Sequence, residues 1–344
     1  MDFLSFRDGF NKHLSAYIEL KASQYRLLTD EPLIWEAFDH MTKLVERGGK
    51  RIRPYLSYLA YTTEGGKNDA EAMRLGLSLE LFHVFALIHD DIIDEGIERH
   101  GMPTIQMHMR EKMMGAHRAH NVHLADGMAM LIGDLLFGWS EEVIAALGNT
   151  AVQELFFTMI EQIVIGQMLD VSFMTKPTVT KEAIAKKNEM KTARYSFLSP
   201  MLTGAALAGS DRRTEWYTKL GLVLGQAFQM QDDLLDIVGS EKTGKKTFMD
   251  IEDGQHTFLS QYVFDQGAAA DREALRSRFG AKLTDDDRKT LLALFMTTGA
   301  VADAEKQIDV LFGEAKELIE SAHLESVQQE KWLGVVAMLD KRSS

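Results

Sequence analysis

Apolar residues along this chain recur three and four positions apart, and the alternation expected of a β-strand is scarce. The spacing predicts helices over roughly 33–46, 54–63, 69–94, 121–147, 151–173, 181–191, 195–209, 214–238, 256–265, 285–298, 301–322 and 326–341. The first twenty residues are amphipathic as well. Prolines stand at 32, 54, 103, 177 and 200, each where a helix can begin or a loop can run. Connections at 64–69, 174–179 and 239–246 are short, which favours antiparallel helix neighbours. No repeat or low-complexity tract interrupts the pattern. The expected fold is all-α, one domain over residues 1–344.

Three stretches are apolar nearly all round: LGLSLELFHVFALIHD, ADGMAMLIGDLLFGW and LGLVLGQAFQMQ. Such helices belong in the centre of a bundle, covered by others. Hydrophobic residues make up 45% of the chain, enough for a large core. The net charge of −13 argues against a nucleic-acid partner, because phosphate contacts need a basic surface. Cysteine is absent, so disulfides and thiolate metal sites are excluded. The N-terminal residues lack the basic start and apolar block of a signal peptide, and no run approaches 18 uninterrupted apolar residues. The expectation is a cytoplasmic protein without stable membrane insertion.

Candidate chemistry begins at LIHDDIIDEGIERHG, residues 87–101. Carboxylates one helical turn apart repel, so a greasy helix that ends on Asp90, Asp91 and Asp94 suggests a cation. On a helical wheel His83, Asp90 and Asp94 fall within roughly 40° of one another. FQMQDDLLDIVG repeats the pattern downstream with Asp232, Asp233 and Asp236, and Gln229 shares the face of Asp232 and Asp236. Hard oxygen ligands of this kind suit Mg²⁺, commonly held by one or two carboxylates together with substrate phosphates. Two such helix ends facing a common cavity would hold a metal–diphosphate. Basic residues able to anchor anionic substrates are Lys50, Arg51 and Arg53 in GGKRIRP, then Arg99, Lys191, Lys245 and Lys246. Glycines 48, 49 and 244 would let backbone N–H groups approach phosphate. The P-loop pattern is absent. His117, His120 and His123 are spaced by three and drift round a helix, so they do not make a metal site.

Taken together, GGKRIRP, ELFHVFALIHDDIIDEGIERHG, AMLIGDLL, GQMLD, KTARYSF, FQMQDDLLD and TGKKTFMDIEDGQHT resemble the trans-isoprenyl diphosphate synthases, in order, over about residues 44–342. The resemblance implies ten or more helices around a deep central cavity, Mg²⁺ as cofactor and a homodimer. It implies condensation of isopentenyl diphosphate with an allylic diphosphate through an allylic carbocation. By the same resemblance, Asp90, Asp94, Asp232 and Asp236 would hold Mg²⁺, with Asp91 and Asp233 in support. Arg99, Lys191 and Lys245 would contact the allylic diphosphate. Lys50, Arg53, His83 and His100 would bind isopentenyl diphosphate, and Thr192, Gln229 and Gln167 would line the reacting region. No side-chain base stands out, so the released diphosphate would take the proton.

The chain departs from the family pattern in two places. His100 stands where a second Arg is usual, and Asp253-Gly254-Gln255-His256-Thr257 replaces EGKxT, losing a Lys. These departures leave open a class I terpene cyclase or a non-catalytic synthase subunit on the same fold. Product length in the family depends on residues just before the first motif, here Phe85, Ala86 and Phe82. The uninterrupted motif resembles archaeal-type geranylgeranyl synthases and favours a C20 product over C15.

Overall fold

Phe6, Phe10, Leu14 and Ile18 recur at helical spacing and form the buried stripe of the first helix, α1 (Phe3–Tyr25). The Asp2 carboxylate caps it by accepting from the Ser5 N–H at 2.9 Å. This computed structural model describes residues 1–113, 118–239 and 247–341. Next come α2 (Pro32–Arg47), with Pro32 in its first turn, and α3 (Ile52–Thr63). The apolar stretch ending in the first acidic motif is α4 (Asp69–Ile93), and Asn68 caps its N-terminus. A small antiparallel hairpin follows, β1 (Glu98–Arg99) and β2 (Met102–Pro103), then α5 (Ile105–Lys112) and α6 (Arg118–Ala146).

The remaining helices are α7 (Thr150–Met174), α8 (Lys181–Asn188), a π-helical segment (Glu189–Leu198), α9 (Ser199–Leu207) and α10 (Thr214–Val238). They are followed by α11 (Met249–Glu252), α12 (Phe258–Gln266), α13 (Ala269–Arg276), α14 (Asp285–Thr297), α15 (Ala300–Glu320) and α16 (Ser326–Asp340). The chain is all-α, as its periodicity predicts. It resolves into two units, Met1–Gln153 with Thr203–Gly209 and Glu154–Leu202 with Ser210–Ser344.

In the first unit α4 is the central helix. Leu75, Leu77, Leu79, Leu81, Phe82 and Ile88 are buried, and α3 and α6 pack along it. In the second unit α10 takes that role, against the π segment and α15. The π segment approaches α10 backbone to backbone: a Cβ on Gly225 would stand 2.2 Å from Ala193 Cα. On its other flank a Cβ on Gly166 of α7 would stand 2.7 Å from the Lys191 nitrogen. Only glycine permits either approach. Among the described residues two helices, α4 and α7, are long and apolar enough to cross a membrane by length and composition. The apolar window of α4 is 67% buried inside the protein, that of α7 only 28%.

Differences from the expected elements have physical reasons. The helices expected at 181–191 and 195–209 are joined by the π segment, whose i→i+5 bonding leaves no simple apolar period. The eight-residue helices α5 and α13 and the single turn α11 are too short and polar to carry a readable apolar stripe. The hairpin rests on four residues with two positive-φ residues between its strands, a signal that periodicity does not contain.

Candidate active site

The first acidic motif closes α4. Asp91 is buried, and Arg99 of β1 grips it with both arms of its guanidinium: Nε donates to Oδ2 at 2.8 Å and Nη2 to Oδ1 at 2.6 Å. Burial raises the Asp91 carboxyl above its usual range, against the pull of Arg99 and with a push from Asp90. Asp90 and Asp94 stay half-buried beside it, and Asp94 ends the helix with its N–H on the Asp90 carbonyl at 2.8 Å. The chain then turns at Gly96, whose N–H donates to the Asp91 carbonyl at 2.8 Å. Two side chains hold that turn. Gln106 Nε2 donates to the carbonyls of Asp91 (2.7 Å) and Gly96 (2.9 Å), and Thr104 Oγ1 donates to that of Gly96 at 2.7 Å. Gln106 is 1% exposed. Nothing in its sequence context singles it out, because its role depends on where α5 docks.

His100 now has a structural explanation. With Gly101 it forms the two-residue turn between β1 and β2, where φ is +54° at His100 and +73° at Gly101. Both residues have positive φ, which suits the twist of a tight hairpin, and histidine tolerates that region better than most side chains. Its ring lies over the glycine loop of GGKRIRP: a Cβ on Gly48 would come within 3.2 Å of His100 Cδ2 and Nε2. Gly49 of the same loop has φ +71°.

Arg53 and His83 are half-buried and Lys50 is exposed. Burial drives the His83 pKa well down, and Arg53, Arg99, Arg51 and His100 drive it further. His83 is therefore a neutral imidazole in a positive environment, and offers an anion an N–H donor rather than a charge. Arg51 belongs to the core. Its backbone is left-handed (φ +56°), and its side chain donates to Glu80 Oε1 at 2.5 Å and Asn11 Oδ1 at 2.9 Å, and to the Val45 carbonyl. That buried pair fixes the glycine loop.

Under the first motif, Phe82 is fully buried and Phe85 is half-buried. The Phe85 ring packs between His89 (4.5 Å), Phe137 (5.1 Å) and Phe82 (5.2 Å). Ala86 beside it is half-buried. Gly133 of α6 makes this packing possible, since a Cβ there would lie 2.5 Å from the His89 ring.

The second acidic motif closes α10 in the other unit. Asp232 is exposed, Asp236 half-buried and Asp233 buried. Asp233 Oδ1 accepts from Gln229 Nε2 at 2.8 Å, and Gln229 Oε1 accepts from Thr192 Oγ1 at 2.5 Å. This relay joins α10 to the π segment. Asp233 Oδ2 is buried with no hydrogen-bond donor. Burial lifts Asp233 to about 7, partly offset by Gln229 and Lys187 and aided by Asp232 and Asp236. Asp236 accepts the N–H groups of Met249 (2.9 Å) and Asp250 (3.1 Å), and burial still lifts it to about 6. Asp250 is raised well above its ordinary value by burial and by Asp236, Asp233 and Asp232. Asp250 is thus a fourth member of this cluster that the five-residue pattern missed. Its signal was its place in TFMDIEDGQHT, but only the fold brings it to Asp236.

Lys191 donates to Asp170 Oδ2 at 2.6 Å, and the buried Lys187 donates to Asp170 Oδ1 at 2.8 Å. Gln167 is half-buried on α7, next to the Gly166 that the π segment approaches. His256, in the altered closing motif, is buried. Its Nε2 lies 3.0 Å from the Lys176 carbonyl and its ring 4.8 Å from that of Phe279, while Thr257 caps α12. These two residues serve packing. Lys245, Lys246, Gly244 and His117, and the side chain of His120, lie outside the described residues.

Among the described residues, no three carboxylate or imidazole groups gather closely enough to hold a metal ion by themselves. The donor set instead suits a divalent cation that shares its coordination with phosphate oxygens. The orphaned buried Asp233 oxygen and the exposed Asp232 beside it are consistent with that chemistry.

Comparison with known proteins agrees with this chemistry. The model of the family described as polyprenyl synthetase matches residues 36–295. A geranylgeranyl diphosphate synthase of Saccharolobus solfataricus is 33% identical over 247 residues, 70% of each chain. A nonaprenyl diphosphate synthase of Mycobacterium tuberculosis is 29% identical over 270 residues, 78% of this chain and 75% of the relative. The fold matches a crystal structure of a geranylgeranyl pyrophosphate synthase from Corynebacterium glutamicum, complexed with isoprenyl diphosphate and magnesium. That match has a TM-score of 0.86 and 24% identity, and covers 97% of this chain and 99% of that one.

Proposed function

The chain belongs to the polyprenyl synthetase family and is a prenyltransferase, and from that premise we propose that it condenses isopentenyl diphosphate with an allylic diphosphate to give geranylgeranyl diphosphate (C20). The observation that carries this reading is the repeated aspartate pattern at the C-terminal ends of α4 and α10, each with cationic side chains in its own unit. Asp90, Asp94, Asp232 and Asp236 would hold Mg²⁺, which when bound draws charge off the departing diphosphate. Arg99 and Lys191 would add positive charge for the departing diphosphate. Lys50, Arg53 and the neutral His83 hold the diphosphate of isopentenyl diphosphate, and His100 covers the glycine loop beside them. Anchoring both substrates by their diphosphates sets the attack geometry. Apolar side chains such as Phe82 and Phe85 keep water from the allylic cation.

The retained Lys50, Arg53 and His83 favour elongation over cyclisation, which needs no second diphosphate site. We place the enzyme in the cytoplasm as a homodimer. Exposed apolar side chains on α6 (Leu124, Leu131) and α7 (Ile165, Met168) are the kind of surface that a second copy covers.

Product analysis tests the reading. The purified chain, Mg²⁺ and isopentenyl diphosphate would be incubated with dimethylallyl, geranyl or farnesyl diphosphate, and the dephosphorylated products sized. A C20 alcohol is expected, and Phe85→Ala should lengthen it by at least one isoprene unit. A C15 product keeps the mechanism and overturns the length assignment. A hydrocarbon formed without consumption of isopentenyl diphosphate would mean a cyclase, and no turnover of any primer would mean a non-catalytic subunit.

A further inference from the structure

Asp170 is a buried carboxylate shared by two ammonium groups. Lys187 stands in the last turn of α8 and Lys191 four residues on, in the π segment, so one flank of this continuous helix presents both. The two lysines are not equivalent. The Lys187 side chain is 7% exposed and also donates to the His256 carbonyl at 3.3 Å. The Lys191 side chain is 24% exposed. Burial pushes Asp170 up, and Lys191 and Lys187 together outweigh it and hold the carboxylate below its ordinary value.

A buried carboxylate with a single cationic partner cannot release that partner without becoming a bare buried charge. Asp170 escapes this constraint because Lys187 is fixed from two sides. Lys191 can turn toward another anion while Asp170 stays paired. We propose that Lys187 is a positioning residue: by keeping Asp170 neutralised it makes the Lys191 ammonium available to a diphosphate. The proposal rests on the reading of Lys191 as a diphosphate contact. It also gives Asp170 a role, as the rest position from which Lys191 is drawn.

The test is calorimetric titration of the full chain with inorganic pyrophosphate in magnesium buffer, together with thermal melting. Lys187→Met should weaken binding about tenfold, because Asp170 then holds Lys191 alone. Asp170→Asn added to Lys187→Met should recover most of that loss, since a neutral amide holds the ammonium weakly. A role confined to folding predicts the reverse, a further loss in the double variant with a lower Tm. Either that result or a change of less than about threefold in Lys187→Met overturns the proposal. Should Lys187→Met not fold, Asp170→Asn decides: retained or tighter binding supports it, and a loss of about tenfold overturns it. Absence of pyrophosphate binding by the parent chain overturns the Lys191 reading and this proposal together, whereas binding that is indifferent to Lys187 overturns this proposal alone.

Discussion

The acidic ends of α4 and α10 share a five-residue pattern and differ in what surrounds it. On α4 the buried member, Asp91, has its charge met by both arms of Arg99. On α10 the buried member, Asp233, accepts one hydrogen bond from the neutral Gln229 and sits among Asp232, Asp236 and Asp250. At the first helix end the buried aspartate is ion-paired, and that pair locks the hairpin carrying Arg99. The other concentrates carboxylates: burial, aided by their mutual repulsion, raises Asp233 and Asp236 toward neutrality, and a divalent cation would relieve that repulsion. The second aspartate of each motif thus becomes half of a structural ion pair in one place and a member of a carboxylate cluster in the other. Burial and the proximity of a guanidinium decide between them.

The largest effect should come from removing the carboxylates assigned to metal and diphosphate at either end. Asp90→Ala and Asp232→Ala are each expected to lower kcat by about 10²–10³ with little change in Tm, because neither side chain is fully buried. Steady-state turnover within about tenfold of the parent for either variant would remove that helix end from the reaction.

A smaller effect separates the ends. Arg99→Lys keeps the charge but loses the fork that spans both Asp91 oxygens. Activity should fall about tenfold to a hundredfold and Tm should drop, because Asp91 stays buried with a poorer partner. The matching change on α10, Gln229→Glu, adds a carboxylate to an already repulsive cluster and should lower Tm without magnesium and regain it when magnesium is added. A similar response of the two variants to magnesium would erase the contrast.

The smallest effect is a slope. Asp233 and Asp236 titrate in the folded chain near 7 and 6, above the ordinary 3.8. As pH rises the unfolded chain loses these protons first, so the folded chain holds more of them between about pH 4 and 7. The stability linked to them is complete below that window and is lost as pH rises through it. In chelating buffer Tm should decline from about pH 5 to 7.5, and Asp233→Asn should flatten the decline. An unchanged slope would mean that Asp233 is not the group responsible.

Much of the site was legible because it consists of charged residues at fixed helical spacing. Asp90 with Asp94, and Asp232 with Asp236, share helix faces whatever those helices pack against. Lys191 is likewise tied to Thr192 by adjacency. Gln106, Asp250, Asp170 and Lys187 were not assigned roles, since each acts on a residue at least 14 positions away through a loop or a neighbouring helix. Arg51 looked equivalent to Arg53, and only the buried Glu80 separates a core cation from a candidate ligand.

The sequence by itself determined where most helices run, that α4 and α10 are central and that both carry acidic ends, whereas α6, equally apolar in sequence, leaves Leu124, Met130 and Leu131 exposed. The properties it determined follow from local periodicity and composition, which a helix expresses before it meets any partner. Tertiary structure decided the rest. It widened 189–198 into a π turn against Gly225 and Gly166, placed His100 in a left-handed turn over Gly48, and gave Asp91 a guanidinium while leaving Asp233 an orphaned oxygen. Charge pairing, desolvation and close backbone approach depend on residues far apart along the chain, and folding alone brings those residues together.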